Sequence, residues 1–253
     1  RGRRSAAAAL ARAHDAAGFL GKAAIQVRDR HGFFISRVFQ AFINEAAAMV
    51  GEGVAPVLVE NAALQAGYPS GPLAVIDDAS LSFAAQGIAG AREAARARGE
   101  PPGDHPGERV ILELLAEGRA GRRAGAGFYD HDGDARRLWP GLSRYRQASD
   151  LSLIGAGERF LLVQIAEVLR AVRDGVIGSA AEINVGAVEA TGFPRWTGGP
   201  ITYLDLIGHE AGLLRARDLA ARHGPRFAWP VADASGLAAL LASLRRPVAG
   251  PAA

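Results

Sequence analysis

The side chains that most often carry catalysis are few and scattered in this sequence. None of its histidines lies four residues from another or in a His-Glu-x-x-His frame, so the spacing of helical zinc sites is missing. The absence of cysteine excludes disulfides, thiolate zinc sites and a cysteine nucleophile. The Gly-x-Ser-x-Gly segment of serine hydrolases does not occur either. Metal binding and hydrolysis are therefore not indicated by the six histidines, which are His14, His31, His105, His131, His209 and His223.

Two glycine-rich segments have the composition of phosphate-binding loops. Ile154-Gly155-Ala156-Gly157 resembles the start of a dinucleotide fingerprint, but Phe160 stands at the third glycine position and no convincing strand precedes it. A glycine-rich helix start is the favoured interpretation. In the loop Gly118–Gly127, Arg119, Arg122 and Arg123 either steer a phosphate-bearing substrate or are simply solvated. The sequence leaves this alternative open.

An internal repeat is the most informative pattern. Ser36–Val54 aligns with Glu158–Val176 at an offset of 122, with six of nineteen positions identical. Further on, Gly67-Tyr68-Pro69 matches Gly192-Phe193-Pro194, and Gly71-Pro72 matches Gly199-Pro200. We therefore expect two copies of one helical unit that pack as a pseudo-twofold pair.

The repeat contains two carboxylates beside an apolar helix face. Glu45 and Glu167 occupy the same repeat position. Arg37 stands two turns from Glu45, about 12 Å along a helix axis, so the two cannot pair directly on one helix. The partner of Glu45 must come from another helix or from backbone N–H groups. Recurrence in both copies favours a structural role over a catalytic one.

Hydrophobic periodicity places these residues on helices. Residues 5–20 predict a helix and Ala23–Val27 a short strand, which together suggest the end of a sheet domain. Helical periodicity follows from Phe33 to Val50, from Val57 to Ala66, from Pro72, and from Arg109 to Glu117. Residues 130–150 are polar and predict a linker. Helical periodicity resumes near Phe160, and a short helix is expected around 236–245, followed by a tail.

Composition narrows the class of protein. The 253 residues carry 29 basic and 26 acidic side chains, and the basic ones are interleaved with acids, which argues against nucleic-acid binding. No apolar run is long enough to span a membrane and no signal peptide is recognisable, so a cytoplasmic protein is expected. The sequence begins at Arg1 and its only methionine is Met49, so it contains no initiator methionine at its start. We therefore expect a piece of a longer chain or a processed chain.

Several of these blocks, taken in order, resemble the C-terminal part of 3-hydroxyacyl-CoA dehydrogenases. The blocks are Asp29–Val38, Asn44-Glu45-Ala46, Gly67–Pro72 and Gly118–Tyr129. The duplication is similar to the α-subunit of the multifunctional fatty-acid oxidation complex. The resemblance implies a mainly α fold of two tandem 6-phosphogluconate-dehydrogenase-C-terminal-like domains, with a remnant αβ unit of a Rossmann domain before them. The implied boundaries are a remnant at 1–28, a first helical domain at 29–130, a linker at 131–150, and a second repeat with tail at 151–253.

The resemblance also implies hydride transfer from an L-3-hydroxyacyl-CoA to NAD⁺ in fatty-acid β-oxidation. The family's catalytic His, Glu and Ser, and its NAD site, would lie upstream of Arg1, so this chain alone is expected to be inactive. Ser36 falls at a family Asn position and is the candidate catalytic residue, with Asn44 as the weaker candidate. Candidate substrate-binding residues are Phe34, Arg37, Tyr68, Pro69, Ser70, Gly71 and Pro72.

The partners that the resemblance implies are an acyl-CoA substrate, intramolecular or homodimeric helical packing, and a thiolase subunit. The alternative from another class is a stand-alone helical acyl-CoA-binding or scaffold module.

Overall fold

The computed structural model describes residues 1–245 apart from Arg3, Glu100 and Pro102. Over these residues the chain is mainly helical, and its one sheet is an antiparallel hairpin in which Tyr129 pairs with Leu138. The tail expected after residue 245 lies outside the described residues. The elements, in chain order, are α1 Ala7–Phe19, α2 Ile35–Gly51, α3 Pro56–Ala66, α4 Pro72–Ala79, α5 Leu81–Ala97, α6 Pro106–Ala116, β1 Tyr129–Asp132, β2 Ala135–Leu138, α7 Leu153–Arg173, α8 Ala180–Thr191, α9 Pro200–Ile207, α10 His209–His223 and α11 Ala234–Ala242.

The chain divides into two compact units, and the division falls inside α2 and α7. One unit is Phe39–Val163, here called the continuous unit. The other combines Arg1–Val38 with Gln164–Ala253 and is called the split unit. Each long helix therefore contributes its two ends to different units, and the domain boundaries at 28, 130 and 150 stay a prediction.

The continuous unit is built around an aromatic cluster. Phe42 on α2 stacks on Tyr68 with ring centroids 4.6 Å apart, and Phe160 on α7 lies 5.0 Å from Phe42. Proline occupies the first turn of α3, α4 and α6, where a missing N–H costs no helical hydrogen bond. Of these helix starts, the one at Pro72 was predicted from its proline, whereas α3 was expected from Val57 and α6 from Arg109.

The split unit has its own core around the second half of α7. Its fully buried side chains include Ile165, Val168 and Phe227. The segment before α2 is tied to this unit, since the Arg28 N–H donates to the Val176 carbonyl at 2.8 Å and the Gln26 N–H to the Glu182 carboxylate at 2.9 Å.

Three sequence-based expectations need correction. Ala23–Val27 is not a strand, because the neighbouring backbone groups bond to Val176 and Glu182 instead of to a strand. Of the expected αβ unit, only the helix α1 forms, and none of its residues is buried. Residues 130–150 are not an irregular linker, since they contain most of the hairpin and a 3-10 helix at Pro140–Tyr145.

Other expectations are confirmed. Gly155 and Gly157 lie in the first turns of α7, as expected for a helix start. Helices α2, α3, α4 and α6 appear where periodicity placed them. Among the described helices, none combines the length and apolar composition needed to cross a membrane.

Candidate functional site

The turn Gly67–Pro72 combines exposed and buried residues. Gly67 ends α3 with φ 98°, a left-handed conformation that favours glycine. Tyr68 is buried in the aromatic cluster, whereas Pro69 and Ser70 are exposed. The buried Pro72 starts α4. Five residues of this turn were predicted to bind substrate. Of these, Pro69 and Ser70 are exposed, whereas Tyr68, Gly71 and Pro72 are buried.

Glu60 on α3 holds this turn from inside. Its carboxylate accepts the Ala74 N–H at 3.0 Å in the first turn of α4. A Cβ on Gly71 would lie 1.2 Å from the carboxylate, so only glycine fits there. The Tyr129 hydroxyl also donates to Glu60. Burial raises the pKa of Glu60, and these hydrogen bonds and the charge of Arg136 oppose the rise without cancelling it.

Asp77 on α4 anchors the hairpin. The carboxylate is buried and accepts the N–H groups of Phe128 at 2.8 Å and Tyr129 at 2.9 Å. Nε2 of His131 lies 2.8 Å from the same carboxylate. Burial raises the pKa of Asp77 against the lowering effect of these contacts. A Cβ on Gly127 would lie 2.1 Å from Asp77 Oδ1, so the hairpin approaches α4 only because residue 127 is glycine.

The arginines of the glycine-rich loop divide into a structural one and two exposed ones. Arg119 is 12% exposed, donates to the carbonyls of Gly127 and Tyr129, and lies 4.0 Å from the centroid of the Trp139 ring. Its guanidinium thus fixes the hairpin and does not face a phosphate. Arg122 and Arg123 are exposed, and Arg122 lies 3.4 Å from Asp78.

In the split unit, the turn before α2 separates a core residue from exposed ones. Gly32 and Phe33 both have positive φ, 71° and 45°. Phe34 is fully buried, whereas Ser36 is exposed on the first turn of α2. The candidate catalytic Ser36 therefore offers its hydroxyl to solvent, and the candidate substrate residue Phe34 is part of the core.

Arg37, also in the split unit, pairs with two carboxylates, one on α7 and one on the residue that follows α7. Nε of Arg37 lies 2.5 Å from Glu167, and its terminal nitrogen lies 3.1 Å from Asp174. Its charge is therefore neutralised within the fold, which favours a positioning role over direct substrate contact.

The continuous unit contains the corresponding ion pairs, but here the arginine lies on α7 and the carboxylates lie on α2 and just after it. Arg159 on α7 donates to Glu45 at 2.7 Å and to Glu52 at 2.8 Å, and its side chain is 1% exposed. Burial lowers the pKa of Arg159, but the two carboxylates outweigh it and raise the pKa. The expectation that Glu45 takes its partner from another helix is confirmed.

Asn44 is buried in the continuous unit. Its Oδ1 accepts from Gln40 at 2.7 Å, and its backbone carbonyl is 2.0 Å from where a Cβ on Gly107 would stand. The contact lets α6 begin directly against α2. The weaker catalytic candidate thus serves helix packing in this structure.

Sequence reasoning missed the buried polar residues Glu60, Asp77 and Tyr129. A signal for the first two was available in the sequence, because Glu60 and Asp77 stand among apolar residues on either side of the turn Gly67–Pro72. Glu52 was missed too, although an acidic residue recurs 122 positions later as Asp174.

The side chains and glycine-rich segments of the described residues do not form a metal or dinucleotide site. Within the described residues no three His, Asp or Glu side chains group as metal ligands. The sheet of these residues is the antiparallel hairpin, and neither glycine-rich segment connects a parallel strand to a helix. The described residues therefore do not fit a nicotinamide dinucleotide.

Comparison with known proteins gives a match to one family model over part of the chain and a similarity of fold over most of it. Residues 32–131 match the family model of the 3-hydroxyacyl-CoA dehydrogenase C-terminal domain. The fold is similar to 3-hydroxybutyryl-CoA dehydrogenase from Escherichia coli K12 substr. MG1655, with a TM-score of 0.72 over 96% of this chain at 18% identity. It is also similar to the dehydrogenase part of multifunctional enzyme 1 from C. elegans, with a TM-score of 0.61 over 93% of this chain at 18% identity. The chain spans 66% and 53% of these two structures.

Proposed function

We propose that this chain, whose residues 32–131 match the family model of the 3-hydroxyacyl-CoA dehydrogenase C-terminal domain, forms the helical part of an NAD-dependent L-3-hydroxyacyl-CoA dehydrogenase and covers its acyl-CoA. The observation that carries the proposal is the extent of the family match. It includes the turn before Ser36, the turn Gly67–Pro72, and the whole Asp77 cluster up to His131. The likeness of fold over most of the chain supports it.

In this proposal the exposed and buried candidates have different tasks. The Ser36 hydroxyl donates a hydrogen bond that orients the oxygen of the substrate, as a neutral donor can. Pro69 and Ser70 contact the acyl-CoA. Tyr68, Gly71 and Pro72 hold that turn. Phe34, Arg37 and Asn44 act through packing and ion pairing.

The wider setting that we propose is fatty-acid β-oxidation within a multifunctional enzyme in the cytoplasm. NAD would be bound by residues other than those described here, because these do not fit it. Helical packing within the chain or between two copies, and a thiolase subunit, are the proposed protein contacts.

The test compares the full-length product of the reading frame with this chain alone. Each is mixed with NAD⁺ and 3-hydroxybutyryl-CoA, and NADH absorbance is recorded. We expect turnover by the full-length product and none by the chain alone. Turnover by the chain alone would contradict the assignment of the cofactor site to other residues. An inactive full-length product that still binds acyl-CoA would support the stand-alone binding module instead.

A further inference from the structure

Two equivalent turns in this chain are held by chemically different side chains. In the continuous unit, Glu60 accepts the Ala74 N–H beneath Gly71. In the split unit, Asn184 accepts the Ile201 N–H at 2.9 Å. A Cβ on Gly199 would lie 2.5 Å from the Cβ of Asn184 and 2.6 Å from its Oδ1, so this turn also approaches the residue that holds it. Both side chains connect one helix to the start of the next. A carboxylate and a neutral amide therefore have the same structural role at two places in this chain, and the two can be compared.

The surroundings of Glu60 are buried and lie beneath the hairpin. The residue is 7% exposed. The groups that face its carboxylate are the Leu73 and Ala74 N–H groups of α4, the Tyr129 hydroxyl of β1 and the charge of Arg136 on β2. The next ionisable group of α4 is Asp77, which faces Tyr129 and His131. Glu60 thus has hydrogen-bond donors around its carboxylate, and Arg136 acts on it through its charge.

The surroundings of Asn184 require no charge. Its Nδ2 donates to Thr202 at 2.8 Å while its Oδ1 accepts from Ile201, so both ends of the amide are satisfied. The side chain is half-buried, and the hairpin that covers Glu60 belongs to the other unit. A neutral amide is therefore sufficient to hold this kind of turn.

A buried carboxylate differs from an amide because its ionisation costs free energy. Burial raises the pKa of Glu60 above its ordinary value of 4.5. A carboxyl whose pKa is higher when buried stabilises the docked turn most at low pH. That stabilisation is lost as the pH rises from the ordinary value through the raised one. Released from its site, the ionised carboxylate is solvated, so ionisation favours opening.

We propose that Glu60 makes the turn Gly67–Pro72 proton-responsive: the turn is docked most firmly while the carboxyl is protonated and is released more readily once it ionises. The equivalent turn at Gly199 does not respond, because Asn184 does not titrate. Under the proposed function, release would loosen Pro69 and Ser70 from the acyl-CoA. The device itself depends only on the geometry of the turn.

Amide hydrogen exchange of this chain tests the proposal without acyl-CoA or NAD⁺. The protection of the Leu73 and Ala74 amides is measured between about pH 5 and 8, corrected for intrinsic exchange and referred to the Ala47 amide of α2. In the wild-type chain we expect it to fall about threefold or more across this range. In Glu60→Gln it should remain constant. Equal pH responses in the two proteins, or a constant value in the wild type, would overturn the proposal.

Two further variants keep the test decisive. Asn184→Asp places a carboxylate in the half-buried equivalent site, where water keeps it ionised, so the Ile201 amide should show no response over the same range. A response there would show that burial is not the cause. Tyr129→Phe removes a donor to the Glu60 carboxylate and should enlarge the wild-type response. If Glu60→Gln does not fold, an unchanged response in Tyr129→Phe overturns the proposal on its own.

Discussion

At the scale of single residues, the most demanding groups are the two arginines of the repeated helices. Arg159 is buried with Glu45 and Glu52, and Arg37 is partly buried with Glu167 and Asp174. In both sets the carboxylates are seven residues apart, two helical turns, so one arginine reaches both. A buried charge is tolerated only when it is paired, which explains why arginine and glutamate recur together in the two copies.

Arg159→Met should lower the free energy of unfolding by about 3–5 kcal/mol, because Glu45 would remain buried without its cation. Urea unfolding measures the loss. The matched control is Glu52→Gln, which removes the 30% exposed partner of the same arginine and should cost less than about 1 kcal/mol. Equal losses in the two variants would contradict the distinction between the buried and the exposed carboxylate.

Ser36→Ala tests the proposed role of the exposed hydroxyl. Because Ser36 lies at the surface, the free energy of unfolding should change by less than about 0.5 kcal/mol. The NADH-linked rate of the full-length product should fall about 100-fold if this donor orients the reacting oxygen. Ser36→Asn, which restores the side chain implied by the family resemblance, should retain the rate. An unchanged rate in Ser36→Ala would remove Ser36 from the reaction.

At the scale of elements, the hairpin is the part that sequence patterns did not reveal. Its strands have four residues each, and β2 carries two adjacent arginines, so no alternation of apolar and polar residues announces them. They form because Asp77 accepts two hairpin N–H groups and Arg119 binds two hairpin carbonyls. These partners are distant in the chain. By contrast, α2 and α7 were predictable since their apolar faces repeat with the helical period.

Gly127→Ala should destabilise the hairpin, because the added Cβ would overlap the Asp77 carboxylate, 2.1 Å away. An overpacked site of this kind costs about 1–3 kcal/mol, which thermal unfolding would detect as a lower midpoint. Gly103→Ala is the control, since a Cβ there meets no atom within 4 Å. A midpoint as high as that of the control would show that the hairpin moves away from α4 without cost.

At the scale of the whole molecule, the two units each contain one arginine with its two carboxylates. The two sets share no residue. Each is therefore expected to stabilise its own unit, although both use α2 and α7.

The double variant Arg37→Met/Arg159→Met should lose the sum of the two single losses to within about 0.5 kcal/mol, as independent sites do. The measurement is urea unfolding of the four proteins of the cycle. A coupling energy above about 1 kcal/mol would indicate that the helices transmit strain from one set to the other.

The sequence by itself determined the helices α1 to α4, α6, α7 and α11, the repeat and the family resemblance, because helical periodicity, the proline that starts α4 and the spacing of glycines are local properties. It also determined that Glu45 needed a partner from elsewhere, since two turns of helix separate it from Arg37. Only the tertiary structure decided that this partner is Arg159, that Ala23–Val27 remains unpaired by any strand, and that Glu60 and Asp77 are buried. Burial and pairing depend on which distant segments meet, and no local pattern encodes that choice.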